Sequence, residues 1–367
     1  MLYIHIPYCK GKCIYCDFYS GGNPDWKKYL KAVASELSVR ADLLRGDCLS
    51  SIYIGGGTPS LIPPDEFTVF MADILSILRE RKIEPAPDIE TTIEVNPEDV
   101  DIPHVSTWKA GGINRVSMGV QSLEDKELKF LKRRHNAERA LRALELLRGA
   151  FNNVSIDLIY GIPGQTEESL NFTLDRIIAQ GPQHVSAYAL TYEHATPLGV
   201  WRDRGQVTET PEETYLKFDD IISGRLEEAG YERYEISNYA LPGYHSRHNS
   251  GYWNGNPYLG LGPSASSFDG DRRRRTNRAD LHRYLEGTFN YDEEILSREE
   301  RLEEIVMVSL RRRHGIDMSQ LTLSERGSVL AKAQRWVESG HLVFEENHLA
   351  LTKKGIRISD FIILSLI

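Results

Sequence analysis

The sequence predicts an α/β protein: six βα units wound into a partial (β/α)6 barrel, then an α+β cap and a small winged-helix-like C-terminal domain. Three observations carry this. Up to about Leu190, short β-branched runs alternate with longer stretches of helical periodicity, as strands and crossover helices do around a parallel sheet. Most of the runs end in Gly, Pro, Asn or Cys, residues that stop a strand and open a functional loop. After Thr191 the rhythm changes to a helix and then a Tyr-, Asn- and Gly-rich stretch.

The predicted strands are 2–6, 51–54, 91–95, 115–120, 154–160 and 184–190. Between the first two, Trp26, Tyr29, Leu30, Val33, Leu37, Ala41 and Leu44 recur at three- and four-residue steps after Asn23-Pro24, which marks a crossover helix. Right-handed crossovers bring the C-terminal strand ends onto one face, and six units fall short of a closed eight-unit barrel. The expected domains are 1–190 (barrel), 191–297 (cap) and 298–367, where two helical patterns precede a hairpin turning at Glu346-Asn347-His348.

Composition narrows the function classes. With 41% hydrophobic and 26% charged residues over 367 positions, the chain is an ordinary globular one. A net charge of −9 argues against a nucleic-acid partner, and the run Arg272-Arg273-Arg274-Arg275 reads as a solvated or carboxylate-paired loop. No apolar stretch approaches the ~20 residues of a membrane helix, and the start lacks a signal-peptide pattern, so a cytoplasmic protein is expected.

Of four cysteines, three are packed together as Cys9, Cys13 and Cys16, which is no secreted disulfide framework. Three thiolates at CxxxCxxC spacing can serve an iron–sulfur cubane whose fourth iron lacks a protein ligand. Zinc, with His5 or Asp17 as fourth ligand, fits the spacing equally, and a disulfide with a spare thiol is a third reading. Gly55-Gly56-Gly57-Thr58-Pro59 closes the second strand, where residues without Cβ let the backbone approach a ligand. Glu94 on the third strand and Gln121 after the fourth should point into the barrel mouth.

In Cys13-Ile14-Tyr15-Cys16-Asp17-Phe18 an aromatic residue precedes the third cysteine, and here the chain resembles the radical S-adenosylmethionine (SAM) superfamily. The resemblance implies a 4Fe-4S cluster on Cys9, Cys13 and Cys16. It also implies SAM contacts from Tyr3, Gly56, Gly57, Thr58, Glu94, Gln121, Arg133 and Asp157. Ile4-His5-Ile6-Pro7-Tyr8-Cys9, the GVQS segment and Tyr160-Gly161-Ile162-Pro163-Gly164-Gln165-Thr166 narrow it to the coproporphyrinogen-III-oxidase-like branch.

Within that branch, the oxidase carries a fourth cysteine two positions past the third and a long extension before the cluster. Here Phe18 stands at that position, and the chain instead looks like the HemW haem chaperones. Arg247-His248-Asn249-Ser250-Gly251-Tyr252-Trp253 is similar to their HNxxYW segment, which makes His248 a candidate haem ligand or, equally, a histidine anchoring a loop by hydrogen bonds. The resemblance implies haem as cargo, haem-accepting apo-proteins as partners, a homodimer, and peripheral contact with membrane-bound acceptors. The alternatives are an oxygen-independent coproporphyrinogen III oxidase, which cleaves SAM reductively to decarboxylate propionates, and a zinc-binding interaction module. Cys48, His104, His135, His194 and His245 receive no role.

Overall fold

The computed structural model describes residues 1–44 and 48–367. Six strands, β1 (Leu2–Ile6), β2 (Leu49–Gly56), β3 (Pro85–Val95), β4 (Arg115–Gln121), β5 (Val154–Tyr160) and β6 (His184–Ala189), lie side by side in sequence order, each parallel to the next. The helices between them are α1 (Trp26–Arg40), α2 (Pro64–Glu80), α3 (Ile102–Ala110), α4 (Asp125–Phe130), α5 (Ala137–Ala150) and α6 (Glu167–Gln180).

Alternation along each strand sorts the side chains. Ile4, Ile54, Ile93, Val116, Met118, Ile156 and Val185 join one apolar core with Phe67 and Phe70 of α2, Trp108 of α3, Leu144 of α5 and Leu174 of α6. Burying each of these side chains contributes on the order of 1.5–3 kcal/mol. The other set is polar. Tyr3, Tyr53, Thr92 and Arg115 form one row across neighbouring strands, and Glu94, Ser117, Ser155 and His184 form the next.

After β6 come α7 (Pro197–Asp203), α8 (Glu212–Glu228), β7 (Glu232–Arg233), β8 (Asn238–Ala240), α9 (Arg247–Trp253), β9 (Leu259–Leu261), β10 (Ser266–Phe268), β11 (Arg273–Asn277), α10 (Leu281–Leu285) and β12 (Tyr291–Ile295). From the region 191–297, expected as a cap, three short strands join the barrel sheet. β8 and β7 extend the β6 edge antiparallel, and β9 runs parallel to β1, giving the order β7-β8-β6-β5-β4-β3-β2-β1-β9. A fully buried carboxylate, Glu36 of α1, fixes this closure by accepting from Arg40, Asn277, Tyr284 and the Gly262 N–H. β10, β11 and β12 make a separate antiparallel sheet.

The C-terminal region holds α11 (Arg298–Ser309), β13 (Ile316–Asp317), α12 (Leu323–Glu338), β14 (Leu342–Glu345), β15 (His348–Leu351), α13 (Lys353–Ile356) and α14 (Ser359–Leu366) around its own core of Val306, Ile316, Val329, Leu349 and Ile362. Helices followed by a hairpin match the winged-helix-like expectation. Glu346 and Asn347 both adopt positive φ, 47° and 67°, as a tight two-residue hairpin turn requires.

Candidate functional site

The loop leaving β1 carries Cys9, Cys13 and Cys16, each partly exposed, over the C-terminal ends of the strands. The Cys16 N–H donates to the Cys13 carbonyl at 3.3 Å, turning the loop back on itself. Two of the sulfurs accept hydrogen bonds: Thr58 Oγ1 donates to Cys9 Sγ and Arg133 Nη1 to Cys13 Sγ, both at 3.4 Å. Burial pushes the Cys16 thiol up, and the nearby Cys13 and Cys9 add to that.

The glycines of the β2 end are sterically required. A Cβ on Gly57 would lie 2.6 Å from the Tyr8 carbonyl and 3.1 Å from Cys9 Sγ, and one on Gly56, at φ 105°, would lie 2.4 Å from the His5 ring. The Gly57 N–H donates to the Ile6 carbonyl at 2.7 Å, clamping β2 to the strand that launches the cysteine loop.

Below this loop sit the other predicted residues. Glu94 accepts from Tyr53 Oη at 2.7 Å and from the Gly56 N–H at 3.0 Å, yet burial raises its carboxyl to about 7. Asp157 is also raised by burial, although Ser186, Arg115 and Ser117 favour its ionised form. Gln121 stands at φ 69° beside a register shift between Gly119 and Gln121 in the β4–β5 pairing. A bulge at a strand end re-aims the side chain, and the left-handed backbone there is a strained position for a residue with a Cβ. Arg133 Nη2 donates to the Gly119 carbonyl at 2.7 Å, holding the guanidinium between β4 and the cysteine loop. Tyr3 Oη is 3.0 Å from His5 Nδ1, facing the same space from β1.

His248 lies elsewhere. It is 1% exposed at the start of α9; its Nδ1 pairs with Ser51 Oγ at 2.8 Å and its Nε2 with Tyr252 Oη at 2.9 Å. Its ring stacks on Tyr53 at 4.9 Å. Burial holds its pKa near 3, with the N-terminal ammonium and Arg115 acting in the same direction. With both nitrogens hydrogen-bonded, the imidazole ties α9 to Ser51 of β2, the arrangement of a histidine that anchors a loop. The arginine run is carboxylate-paired: Arg273 and Arg275 with Glu293, Arg274 with Glu304.

Arg115 went unnoticed in the sequence. It is 1% exposed inside the barrel, its Nε and Nη1 have no hydrogen-bond partner, and its charge favours the ionised forms of Glu94 and Asp157. The signal was available, since Arg115, Ser117, Gly119 and Gln121 occupy alternate positions of one strand and share its inner face. Among the described residues, no three His, Cys, Asp or Glu side chains surround a single-ion position. In a cubane each thiolate serves its own iron, so the three sulfurs need not meet at one point. A thiolate set with two hydrogen-bond donors and a glycine-cleared wall fits such a cluster, and the carboxylates and amide below it suit a polar, cationic small molecule.

Sheet, loop and polar interior together define a radical SAM protein: the Radical SAM superfamily model matches residues 3–177, and the HemN C-terminal domain model matches 296–358. Radical SAM membership implies a 4Fe-4S cluster and SAM, which decides between the iron and zinc readings of the spacing. The structure is similar to coproporphyrinogen III oxidase (HemN) from Escherichia coli, with TM-score 0.82 and 25% identity, covering 100% of this chain and 89% of that one. Heme chaperone HemW of Mycobacterium tuberculosis is 32% identical over 100% of this chain and 94% of its own length. Heme chaperone HemW of Synechocystis sp. is 35% identical over 92% and 85%. The chain belongs to the HemW family.

Proposed function

We propose that this protein is a haem chaperone: it binds haem and hands it to acceptor proteins, using a radical SAM centre without serving as a porphyrinogen decarboxylase. Family membership along nearly the whole chain carries this reading. Phe18, 59% exposed two positions past Cys16, agrees with it, because the oxidase resemblance calls for a cysteine there.

In this reading Cys9, Cys13 and Cys16 hold the cluster, while Tyr3, Gly56, Gly57, Thr58, Glu94, Gln121, Arg133 and Asp157 surround SAM. The cluster supplies a one-electron redox centre with an open iron. The chain's own residues do the rest: Thr58 and Arg133 donate to sulfurs and stabilise negative charge on them, and Gly56 and Gly57 leave room for a ligand at the strand ends. Glu94 and Asp157 offer carboxylates to a cation.

No helix among the described residues is long and apolar enough to cross a membrane. A cytoplasmic protein that forms a homodimer and meets membrane-bound acceptors peripherally belongs to the same proposal. Anaerobic reconstitution should give about four irons per chain, and haem titration should shift the Soret band. Robust SAM-dependent conversion of coproporphyrinogen III to protoporphyrinogen IX would overturn the reading in favour of the oxidase.

A further inference from the structure

Three ionisable side chains share the inner face of three adjacent strands: Glu94 on β3, Arg115 on β4 and Asp157 on β5. Arg115 is the Cα partner of Thr92, so Glu94 stands two residues further along the sheet, roughly 7 Å nearer the cysteine loop. Asp157 pairs with Gly119, four residues beyond Arg115 on its own strand. Arg115 therefore lies deepest of the three. Its Nε and Nη1 have no hydrogen-bond partner, and neither has the buried Oγ1 of Thr92 beside it. A cation enclosed with unmade hydrogen bonds opposes folding, so the fold gains nothing by keeping it there.

The other titratable groups that face this set are neutral or engaged elsewhere. Burial raises the phenols of Tyr3, Tyr53 and Tyr252, and Tyr188 of β6, open to solvent along one edge, is raised in the same way. Burial lowers the imidazoles of His184 and His248. Arg133 is committed to the Gly119 carbonyl and to Cys13 Sγ.

Resting on the reading of this space as the SAM site, we propose that Arg115 is a positioning residue: a fixed interior cation that keeps Glu94 and Asp157 as carboxylates, ready to receive cationic SAM, and acts on SAM only through them. Burial opposes the ionisation of both carboxyls, and the charge of Asp157 adds to this at Glu94, whereas the guanidinium works the other way at each. Two carboxylates against one guanidinium leave a single net negative charge below the loop. That complements SAM, in which an ammonium and a sulfonium outweigh one carboxylate. A guanidinium suits the task because it keeps its proton where a buried ammonium gives one up.

The test is SAM titration of the anaerobically cluster-loaded full chain from about pH 6 to about pH 8.5, parent against Arg115→Met, so that the titration of SAM itself cancels in the ratio. The variant should bind about tenfold more weakly at the acid end and within about twofold of the parent at the alkaline end. Loss of the cation moves the carboxyls up, and alkaline solution ionises them regardless. The cluster-free chain gives a second readout. The infrared carbonyl band of protonated Glu94, recognised by its absence from Glu94→Gln, should persist to higher pH in Arg115→Met than in the parent. An affinity loss equal at every pH, or no loss, overturns the proposal. An unmoved band with SAM still bound overturns it as well and leaves the SAM reading intact. An Arg115→Met chain that does not fold also overturns it, by assigning Arg115 to the fold. If the parent binds no SAM at any pH, the SAM reading falls and takes the proposal with it.

Discussion

The two faces of strands β1 to β6 are built from alternate residues of the same six segments and answer to different demands. Outward, Ile4, Ile54, Met118 and Ile156 fill a close-packed layer under the helices. Inward, Tyr3, Glu94, Arg115 and Asp157 crowd polar and ionisable groups into a half-buried space where Arg115 leaves two nitrogens unpaired. One face is what a sheet does to fold. The other is costly, because burying unpaired polar groups opposes folding, and its retention points to ligand binding.

The sharpest way to break that division is at the loop above the inner face. Cys13→Ser should take iron from about four per chain to near zero after anaerobic reconstitution and abolish SAM binding, with apo-protein stability unchanged within about 0.5 kcal/mol. A variant that keeps its cluster would remove Cys13 from the ligand set. Next in size is Ile156→Ala on the outer face of β5, expected to destabilise by about 2–5 kcal/mol in chemical denaturation while the folded fraction binds SAM normally. A stability loss under 1 kcal/mol there would mean that the layer is less tightly packed than its burial implies.

Glu94→Gln sharpens the inner side through pH. A carboxyl raised to about 7 when folded holds more protons than the unfolded chain between its ordinary value of 4.5 and 7. Its stabilising contribution is therefore complete below 4.5 and is lost as pH rises through 7. The parent should lose roughly 2 kcal/mol relative to Glu94→Gln across that window, the full shift being discounted for partial exposure. Thermal denaturation at several pH values reads this, and a difference that stays flat would show that Glu94 titrates normally. The smallest effect is expected of Thr58→Val, which deletes the donor to Cys9 Sγ. It should lower the midpoint potential of the cluster, since negative charge on the sulfurs loses a partner, without changing iron content.

Much of this was legible beforehand, and the reason is periodicity. The six central strands were found because β-branched runs recur regularly between stretches of helical period, and the cysteines because their spacing is local. β7, β8 and β9, of two or three residues each, have no period to detect, so their pairing with the barrel sheet was not legible. His248 shows the other limit. Its residue type allows iron ligation, but its partner Ser51 is 197 positions away, and only the fold brings the two together.

The pairing of β1 with β9 sets a timetable for biogenesis. Leu2 lies beside Leu259, so the strand that launches the cysteine loop gains its second neighbour only after more than two thirds of the chain has left the ribosome. At ordinary translation speeds that interval is roughly ten seconds or longer. During it the thiols stand on an uncompleted edge, open to whatever machinery delivers iron and sulfide and equally open to oxidants.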